Sequence, residues 1–309
     1  MNDPRCRLIY LAQNPQLSRP LLLTFLKEDR TLEPLFSASI KDLVNKYQLS
    51  TTKAQTLHRY IKDKDNFDRL LTRLSRFKIW TILDPDFPLV LTLIPDPPVV
   101  LYGLGQTCLI DQMPSLAVVG TRHPSKLAKK HMYQLLKPLV DKDWVLVSGM
   151  AYGIDGYAHR LADYYGGKTI AVLAGGLEYP YPPGHLNLYH RLIENQLVIS
   201  EYPPFDKPKR YQFPERNRLI SGLTFATLVI EAKHKSGSLI TADQALEQGK
   251  DVFAVPGAIS QSQSQGCHEL IQNGAKLVQN THDILQEWEL FRRKWCRMML
   301  ESNQNPAMG

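Results

Sequence analysis

From residue 116 onward, short apolar segments alternate with segments of helical spacing. The apolar segments are rich in β-branched residues and end at polar turns, so each is predicted to be a buried strand. They are 116–119, 145–147, 169–173, 197–199, 224–230, 251–255 and 276–278. Helices are predicted over 126–140, 155–165, 186–194, 215–220, 239–249, 268–273 and from 283 onward. Repeated βα units with apolar strands form a parallel sheet covered on both faces, so we expect a doubly wound α/β domain over 116–290.

Two other regions precede this predicted sheet, and a third follows it. Residues 1–75 carry apolar side chains at helical spacing and predict a small all-α module. Residues 76–115 contain six prolines, which exclude a long helix. We expect a connector whose apolar pieces are extended and pack on the core. Residues 291–309 are expected to form a short tail.

The composition is typical of a globular protein in a reducing compartment. Hydrophobic residues make up 43% and charged residues 22% of the 309-residue chain. The four cysteines are far apart and form no CxxC motif, so they are predicted to be free thiols. We find no secretion signal and no apolar run long enough to cross a membrane. We therefore expect a cytoplasmic protein without a membrane anchor.

The net charge of +7 lies in the first quarter of the chain. Residues 1–78 hold 15 Lys+Arg and 8 Asp+Glu, a difference of +7, whereas residues 79–309 hold 22 of each. Such a basic surface attracts nucleic acid through counterion release, but a solvated helical surface explains it equally well. The predicted α/β domain must therefore bind any anion through local geometry.

The turn after the 224–230 strand is the strongest candidate for an anion site. A strand, a glycine-serine turn and a helix direct free backbone N–H groups toward an anion. No Asp or Glu lies between residues 232 and 242 to repel a phosphate. The candidate ligands are Lys235, Ser236, Gly237 and Ser238, together with Arg216, Asn217 and Arg218 just before the strand. The alternative is an ordinary βα turn with solvated basic residues.

Two earlier strand ends carry similar turns. Arg122 occupies the dinucleotide-loop position, but the GxGxxG glycines are missing, so we predict a guanidinium–phosphate contact or an ion pair with a nearby acid. Ser148 and Gly149 follow the second strand and again offer N–H groups to an anion. Asp155 and His159 lie four residues apart on one helical face, where they form either a general acid–base pair or a structural hydrogen-bonding unit.

Aromatic residues flank these turns, whereas sequence motifs for catalysis are missing. Phe213 is the best candidate for stacking on a base because it adjoins cationic residues, and Tyr179 and Tyr181 either stack or close the edge of the core. Ser148 is not in a GxSxG motif, the nine histidines lack metal-binding spacing, and no GxxxxGK[ST] loop is present. We therefore predict a binding protein with no catalytic residue, metal or cofactor.

Several motifs, in this order, resemble one family. They are AVVGTR at 117–122, SGMAYGID at 148–155, TIAVL at 169–173, SEYP at 200–203, FPERNR at 213–218, KSGSLITA at 235–242 and VPG at 255–257. From about residue 78 to 280 the chain is similar to the bacterial DNA processing protein A family, also called DprA or Smf. The resemblance implies an extended Rossmann-like domain, here preceded by a SAM-like helical domain. It also implies a homodimer without enzymatic activity, which binds single-stranded DNA and loads the RecA recombinase onto it during natural transformation and recombination.

The resemblance also implies a set of DNA contacts. They are Arg122, Phe213, Arg216, Asn217 and the 235–238 turn. The chain departs from the family in having His185 and His268 where many members have Asn. From the short stretch after the last predicted strand, we expect no winged-helix-like domain of the kind that longer members carry. Two alternatives stay open. One is a nucleotide N-glycosidase of the lysine-decarboxylase-like Rossmann group, although its PGGxGTxxE motif is missing at 256–258, and the other is a protein scaffold with weak DNA contact.

Overall fold

The computed structural model describes residues 3–304, with side chains as far as residue 293. Within that range, six helices precede the first strand. They are α1 Pro4–Ala12, α2 Arg19–Glu28, α3 Glu33–Ser37, α4 Ile40–Asn45, α5 Thr51–Lys62 and α6 Lys64–Leu74. Four of them, α1, α4, α5 and α6, begin with a side-chain N-cap, and α4 has a full capping box between Ser39 and Asp42. The helices pack around Tyr10, whose ring stacks on Tyr60 with the centroids 4.2 Å apart.

Strands and helices alternate through the rest of the described chain. The strands are β1 Lys78–Thr81, β2 Val100–Gly105, β3 Ser115–Val119, β4 Val145–Ser148, β5 Lys168–Val172, β6 Leu197–Ser200, β7 Ala226–Val229, β8 Asp251–Ala254 and β9 Lys276–Leu277. The helices are α7 Leu89–Thr92, α8 Ala128–Val140, α9 Ile154–Tyr164, α10 Leu186–Asn195, α11 Gln212–Gly222, α12 Gly237–Glu247, α13 Gln265–Gln272 and α14 Thr281–Gln304. All seven strands predicted after residue 115 are present.

The nine described strands form one sheet in the order β1-β2-β6-β5-β4-β3-β7-β8-β9. From β6 to β9 every neighbouring pair is parallel, whereas β2 is antiparallel to both β1 and β6. Successive residues of β3 enter different apolar cores, with Leu116 and Val118 in one and Ala117 and Val119 in the other. Helices therefore cover both faces, and the predicted doubly wound, mostly parallel Rossmann-like fold is confirmed.

The 76–115 segment contributes strands to the sheet as well as packing on it. Two of its apolar pieces form β1 and β2, and Tyr102 of β2 pairs with Ser200 of β6. The prolines lie mostly between these two strands, where they need not donate to a ladder. The antiparallel edge depends on a partner strand about a hundred residues further along the chain, so no local pattern in the segment reveals it.

The helical module and the antiparallel edge of the sheet share one apolar core. Leu8 belongs to the same buried cluster as Tyr102. Polar contacts cross the same boundary, because the Arg19 guanidinium pairs with the carboxylates of Asp96 and Glu201, the latter at 3.1 Å. The module is consequently a fixed part of the fold.

The expected tail, 291–309, begins inside α14. Trp288 of that helix lies against the sheet, with its ring 5.3 Å from that of Phe225. Residues 305–309, and the side chains of Lys294 and Trp295, lie outside the described part of the chain. Among the helices of residues 3–304, none combines the length and the apolar character needed to cross a membrane.

The strand order reverses at β3, which pairs with β4 on one side and with β7 on the other. The turns that follow β3 and β7 consequently leave the sheet on either side of a crevice at its carboxyl edge. Open α/β sheets bind their ligands at such a switch point. Arg122 follows β3 and the 233–238 turn follows β7, so the fold brings two of the predicted turns together.

Candidate nucleic-acid interface

A cleft of about 280 Å³ opens at the carboxyl ends of β3 and β7. The turns after β3 and β4 and the first turns of α11 and α12 form its walls. The predicted residues that line it are Arg122, Phe213, Arg216, Asn217, Ser236, Gly237 and Ser238. Segments far apart in sequence therefore meet at the switch point of the sheet.

Arg122 is an exposed cation at this cleft. The loop beneath it is held by Glu231, whose carbonyl accepts from Thr121 N at 2.7 Å and whose carboxylate accepts from Ser125 N at 2.8 Å. Gly153 packs closely on the same loop, since a Cβ there would lie 2.3 Å from the Thr121 carbonyl oxygen. Within the described part of the chain the Arg122 guanidinium has no hydrogen bond or ion pair, so it is available to a phosphate.

The first turn of α12 supplies backbone donors on the other side of the cleft. Ser236 is the N-cap, and its side chain accepts from Ser238 N at 3.4 Å. The N–H of Gly237 has no acceptor among the described residues, and a Cβ at this position would have nothing within 4 Å. Lys235 is exposed beside the cap and adopts a left-handed φ of 59°. An open N–H at a helix N-terminus favours an anion, and Lys235 adds a positive charge next to it in the sequence, although Lys235 is not among the residues that line the cleft.

Arg216, predicted as a DNA contact, is a buried charge in the floor of the cleft. Its guanidinium donates to the carbonyl of Gly149 at 2.8 Å and to that of Val172, and its Nε donates to Asn217 Oδ1 at 3.2 Å. Burial lowers the pKa of Arg216 to about 10, which leaves the group charged at neutral pH. Nearby Asp155 offsets part of that charge. Arg216 and Asn217 therefore both line the cleft, but most donors of Arg216 are held by protein acceptors.

Ser148 and Gly149 lie deeper than predicted. The Ser148 hydroxyl is fully buried and donates to the carbonyl of Val118 at 2.6 Å. The N–H of Gly149 donates to the Asp155 carboxylate at 3.2 Å and is not free for an anion. A Cβ at Gly149 would lie 2.4 Å from the Arg216 guanidinium, so this glycine makes room for the buried arginine.

Arg218 also differs from the prediction. Its guanidinium is buried and pairs with both carboxylate oxygens of Glu201, each at 2.6 Å, while its Nε donates to the carbonyl of Asp96 at 2.9 Å. Because Arg19 of the helical module pairs with the same two acids, Arg218 joins α11 to the connector and the module. Arg218 is therefore buried by these partners and does not line the cleft.

Three aromatic rings stand at the mouth of the cleft. Phe213 is half-buried in the wall and meets Tyr181 edge to face, with ring centroids 5.4 Å apart. Tyr152 and Tyr181 are exposed, and they line a small annex together with Arg122 and Phe213. Sequence reasoning identified Phe213 and weighed Tyr181 but missed Tyr152. The signal for Tyr152 was its position inside the glycine-rich turn after β4.

Asp155 and His159 form structural hydrogen bonds and no acid–base pair at the cleft. The Asp155 carboxylate accepts from the backbone N–H groups of Gly149 and Ala151. His159 is fully buried, and its Nδ1 lies 2.7 Å from Oγ1 of Thr169. Burial lowers the pKa of His159 to about 3, so the ring is neutral. Within the described residues no group of His, Cys, Asp and Glu side chains is arranged to hold a metal ion.

Comparison with known proteins agrees with the geometry. The sequence model of the DNA recombination-mediator protein A family matches residues 78–289. The chain is 39% identical over 277 residues to the DNA processing protein DprA of Bacillus subtilis, covering 89% of this chain and 92% of that protein. It is 43% identical over 233 residues to DprA of Streptococcus pneumoniae, covering 75% of this chain and 81% of that one.

Solved structures extend the comparison to the fold. The crystal structure of DNA processing protein A from Streptococcus pneumoniae superposes with a TM-score of 0.80 at 37% identity, covering 90% of this chain and 96% of that one. A structure of DNA processing protein A from Helicobacter pylori, which concerns the single-stranded DNA binding mode of that protein, gives a TM-score of 0.61 at 30% identity over 69% of this chain and 97% of that one. This chain belongs to the DNA recombination-mediator protein A family.

Proposed function

We propose that this protein binds single-stranded DNA in the cleft at the carboxyl ends of β3 and β7. The observation that carries the proposal is the unpaired guanidinium of Arg122, which faces the acid-free first turn of α12 across one cleft. A helix N-terminus and an arginine together suit a phosphate. The single-stranded DNA binding described for the Helicobacter pylori relative supports the same ligand.

Different residues of the cleft bind the phosphates and the bases of the strand. Arg122, Lys235 and the N–H of Gly237 hold phosphates, which fixes the position of the strand without reading its sequence. The exposed rings of Tyr152 and Tyr181 and the half-buried ring of Phe213 stack on bases. Bases of a duplex are paired and stacked on one another, so these rings favour a single strand. Binding is therefore expected to tolerate any sequence and to weaken with salt.

The finer function is to prepare the DNA strand for recombination. We infer that the protein acts as a homodimer in the cytoplasm and loads the RecA recombinase onto the bound strand during natural transformation. The family description as a recombination mediator and the names of the relatives support this inference. The test is strand exchange by RecA on DNA coated with single-strand binding protein, which we expect this protein to accelerate. Acceleration that survives Arg122→Ala would separate RecA loading from the cleft.

The proposal assigns no reaction to the cleft. Among the described residues that line it, Asp155 supplies the carboxylate, and that carboxylate accepts backbone N–H groups after β4. We therefore expect no release of nucleobase from adenosine monophosphate. Release that disappears in Asp155→Asn would mean that the cleft is an active site.

Fluorescence anisotropy tests the binding site directly. Labelled single-stranded and duplex oligonucleotides are titrated across a salt series with wild type, Arg122→Ala and Lys235→Ala. Lys142→Ala is the matched control, because Lys142 is exposed but precedes β4 and lies at the opposite edge of the sheet. Arg122→Ala and Lys235→Ala should each bind single-stranded DNA about tenfold more weakly. This corresponds to about 1.4 kcal/mol, the free energy that one charged hydrogen bond contributes to binding. The proposal would be contradicted if Lys142→Ala lost as much affinity as Arg122→Ala and Lys235→Ala, or if the wild type bound duplex as tightly as single-stranded DNA.

A further inference from the structure

A second, larger groove lies beside the cleft, between α8, α9 and the start of α10. Its volume is about 570 Å³, compared with about 280 Å³ for the cleft. Four tyrosines line it, namely Tyr133, Tyr157, Tyr164 and Tyr165. We propose that this groove continues the path of single-stranded DNA beyond the cleft, with bases on the tyrosine rings and phosphates on the adjoining cations. The inference rests on the proposed function and extends its site.

The groove begins where the annex of the cleft ends. Tyr152 lines the annex together with Arg122, and its hydroxyl accepts from the N–H of Gly184 at 3.3 Å. Gly184 itself lines the second groove. A single contact, between Tyr152 and Gly184, therefore separates the two depressions. A strand that passes over the exposed Tyr152 ring moves from one into the other.

The rings of the groove are placed as a stacking surface. Tyr164 is 76% exposed and meets Tyr165 edge to face with centroids 4.9 Å apart, and Tyr165 in turn lies 5.8 Å from Tyr133. An exposed pair of rings at the end of α9 does little for the core, since that helix already buries its inner face against the sheet. Every nucleobase has a flat face that stacks on such rings, whatever its sequence.

The charges of the groove suit a polyanion. Three cations line it, Lys129, Arg160 and Arg191, against one carboxylate, Asp163. Arg191 pairs with Asp163 at 2.5 Å, which leaves Lys129 and Arg160 in excess. Lys129 Nζ lies 4.6 Å from the centroid of the Tyr157 ring, so a cation and a ring stand side by side. Protein-binding patches are usually depleted of lysine at their centre, whereas single-strand channels alternate cations with aromatics.

The test uses strand length and ring chemistry together. Oligothymidylates of about 6 and about 20 nucleotides are titrated, the first near the lower end and the second beyond the upper end of the single-strand sites of about 4–16 nucleotides held by other domains. Tyr164→Ala/Tyr165→Ala is expected to weaken binding of the longer strand by about tenfold and to leave the shorter one, which the cleft holds, within about twofold. Tyr164→Phe/Tyr165→Phe keeps both rings and should keep wild-type affinity. Arg160→Ala should resemble the alanine pair, with Lys142→Ala as its charge control.

A cross-link locates the strand independently of affinity. A longer strand that carries 5-iododeoxyuridine away from its cleft-bound end should link on irradiation to the peptide that contains Tyr164. If the short strand binds and depends on Arg122 but the alanine pair changes neither length, the groove inference is overturned, and the surface belongs to a protein partner instead. If neither length depends on Arg122, the proposed function itself fails. Thermal melting of each variant checks that it is folded.

Discussion

At the scale of single residues, the cleft depends on glycines that make room for other groups. Gly149 borders the buried guanidinium of Arg216, whereas Gly237 faces open space at the first position of α12. A side chain is therefore disfavoured at these two positions for different physical reasons. One protects the fold beneath the cleft, and the other leaves a backbone N–H accessible to a ligand.

This difference gives a paired prediction. Gly149→Ala should lower the free energy of unfolding by about 1–3 kcal/mol, because the new Cβ displaces a guanidinium that is fixed by buried carbonyls. Gly237→Ala should leave stability within about 0.5 kcal/mol, because its Cβ meets nothing, yet it should weaken DNA binding by crowding the N–H. Urea unfolding and anisotropy measure the two effects. Equal destabilisation by both substitutions would contradict this account of the glycines.

The buried His159 makes the free energy of unfolding depend on pH. Burial lowers the pKa of His159 to about 3, whereas the unfolded chain protonates at an ordinary value near 6.5. Between these values the unfolded state binds more protons, so stability should fall as pH falls below 6.5, by up to about 1.4 kcal/mol per pH unit. Urea unfolding at pH 7 and pH 5 measures the loss. His159→Gln should flatten the dependence. Burial also lowers the pKa of His185, which therefore contributes a slope of the same sign that His159→Gln does not remove.

The sequence predicts where the turns lie, but it does not predict the burial of Arg216 and Arg218. Arg122 and the 235–238 turn are placed by local motifs at strand ends, which sequence reveals. Arg216 and Arg218 are buried by contacts with segments far away, for example Asp96, 122 residues from Arg218. Charged residues are normally exposed, and the residues adjacent to these two arginines in the sequence do not indicate that they are buried.

At the scale of elements, α11 is the structural support of the cleft. It carries Phe213 in the wall and Arg216 in the floor, and its last turn is fixed by a half-buried lysine. Lys250 Nζ donates to the carbonyls of Ser221 at 2.9 Å, Gly222 at 2.6 Å and Thr224 at 2.7 Å. These carbonyls include orphan acceptors of the helix C-terminus, where a cation is also favoured by the helix dipole.

Removing that lysine should loosen the helix. Lys250→Met keeps much of the apolar stem but leaves three acceptors without their donor, so we expect a loss of about 1–3 kcal/mol of stability. Hydrogen exchange should quicken at the end of α11 before it quickens in β3. The matched control, Lys142→Met, changes an exposed lysine and should do neither. An unchanged α11 in Lys250→Met would show that the helix does not need this contact.

Elements were predictable where their signal is periodic and short. The parallel strands after residue 115 were all found, because each is a compact apolar run between polar turns. The helix α11 begins at Gln212, three residues before the predicted start at residue 215. Pro214 lies in its first turn, and because proline usually interrupts a helix, the sequence favoured a start after it. β1 and β2 were missed as members of the sheet, because they join it only through the pairing of β2 with the distant β6.

At the scale of the whole molecule, the helical module and the sheet are one structural unit. They share an apolar core, and the ion-pair network of Arg19, Asp96, Glu201 and Arg218 crosses their boundary. Calorimetry should therefore show one unfolding transition that involves both parts. Two separate transitions would mean that the shared core does not couple them.

Breaking the network should lower that single transition. Glu201→Ala leaves the buried guanidinium of Arg218 without its main partner, and we expect a loss of about 3–5 kcal/mol. Asp86→Ala removes an exposed pair with Lys78 and should cost about 0–1 kcal/mol. Differential scanning calorimetry compares the two variants. If Asp86→Ala lost more stability than Glu201→Ala, the buried pair would not be the stronger of the two, and this account would be contradicted.

The fixed position of the module has a consequence for how fast a strand is captured. The surplus positive charge of the chain lies in residues 1–78, and the shared core prevents that charge from drifting relative to the cleft. A stationary positive field draws a polyanion in from a distance, which speeds encounter and acts little on departure. Salt should therefore slow association mainly through the module, while the lifetime of the complex is set by the cleft. The two parts of the chain would then control different rate constants of one binding reaction.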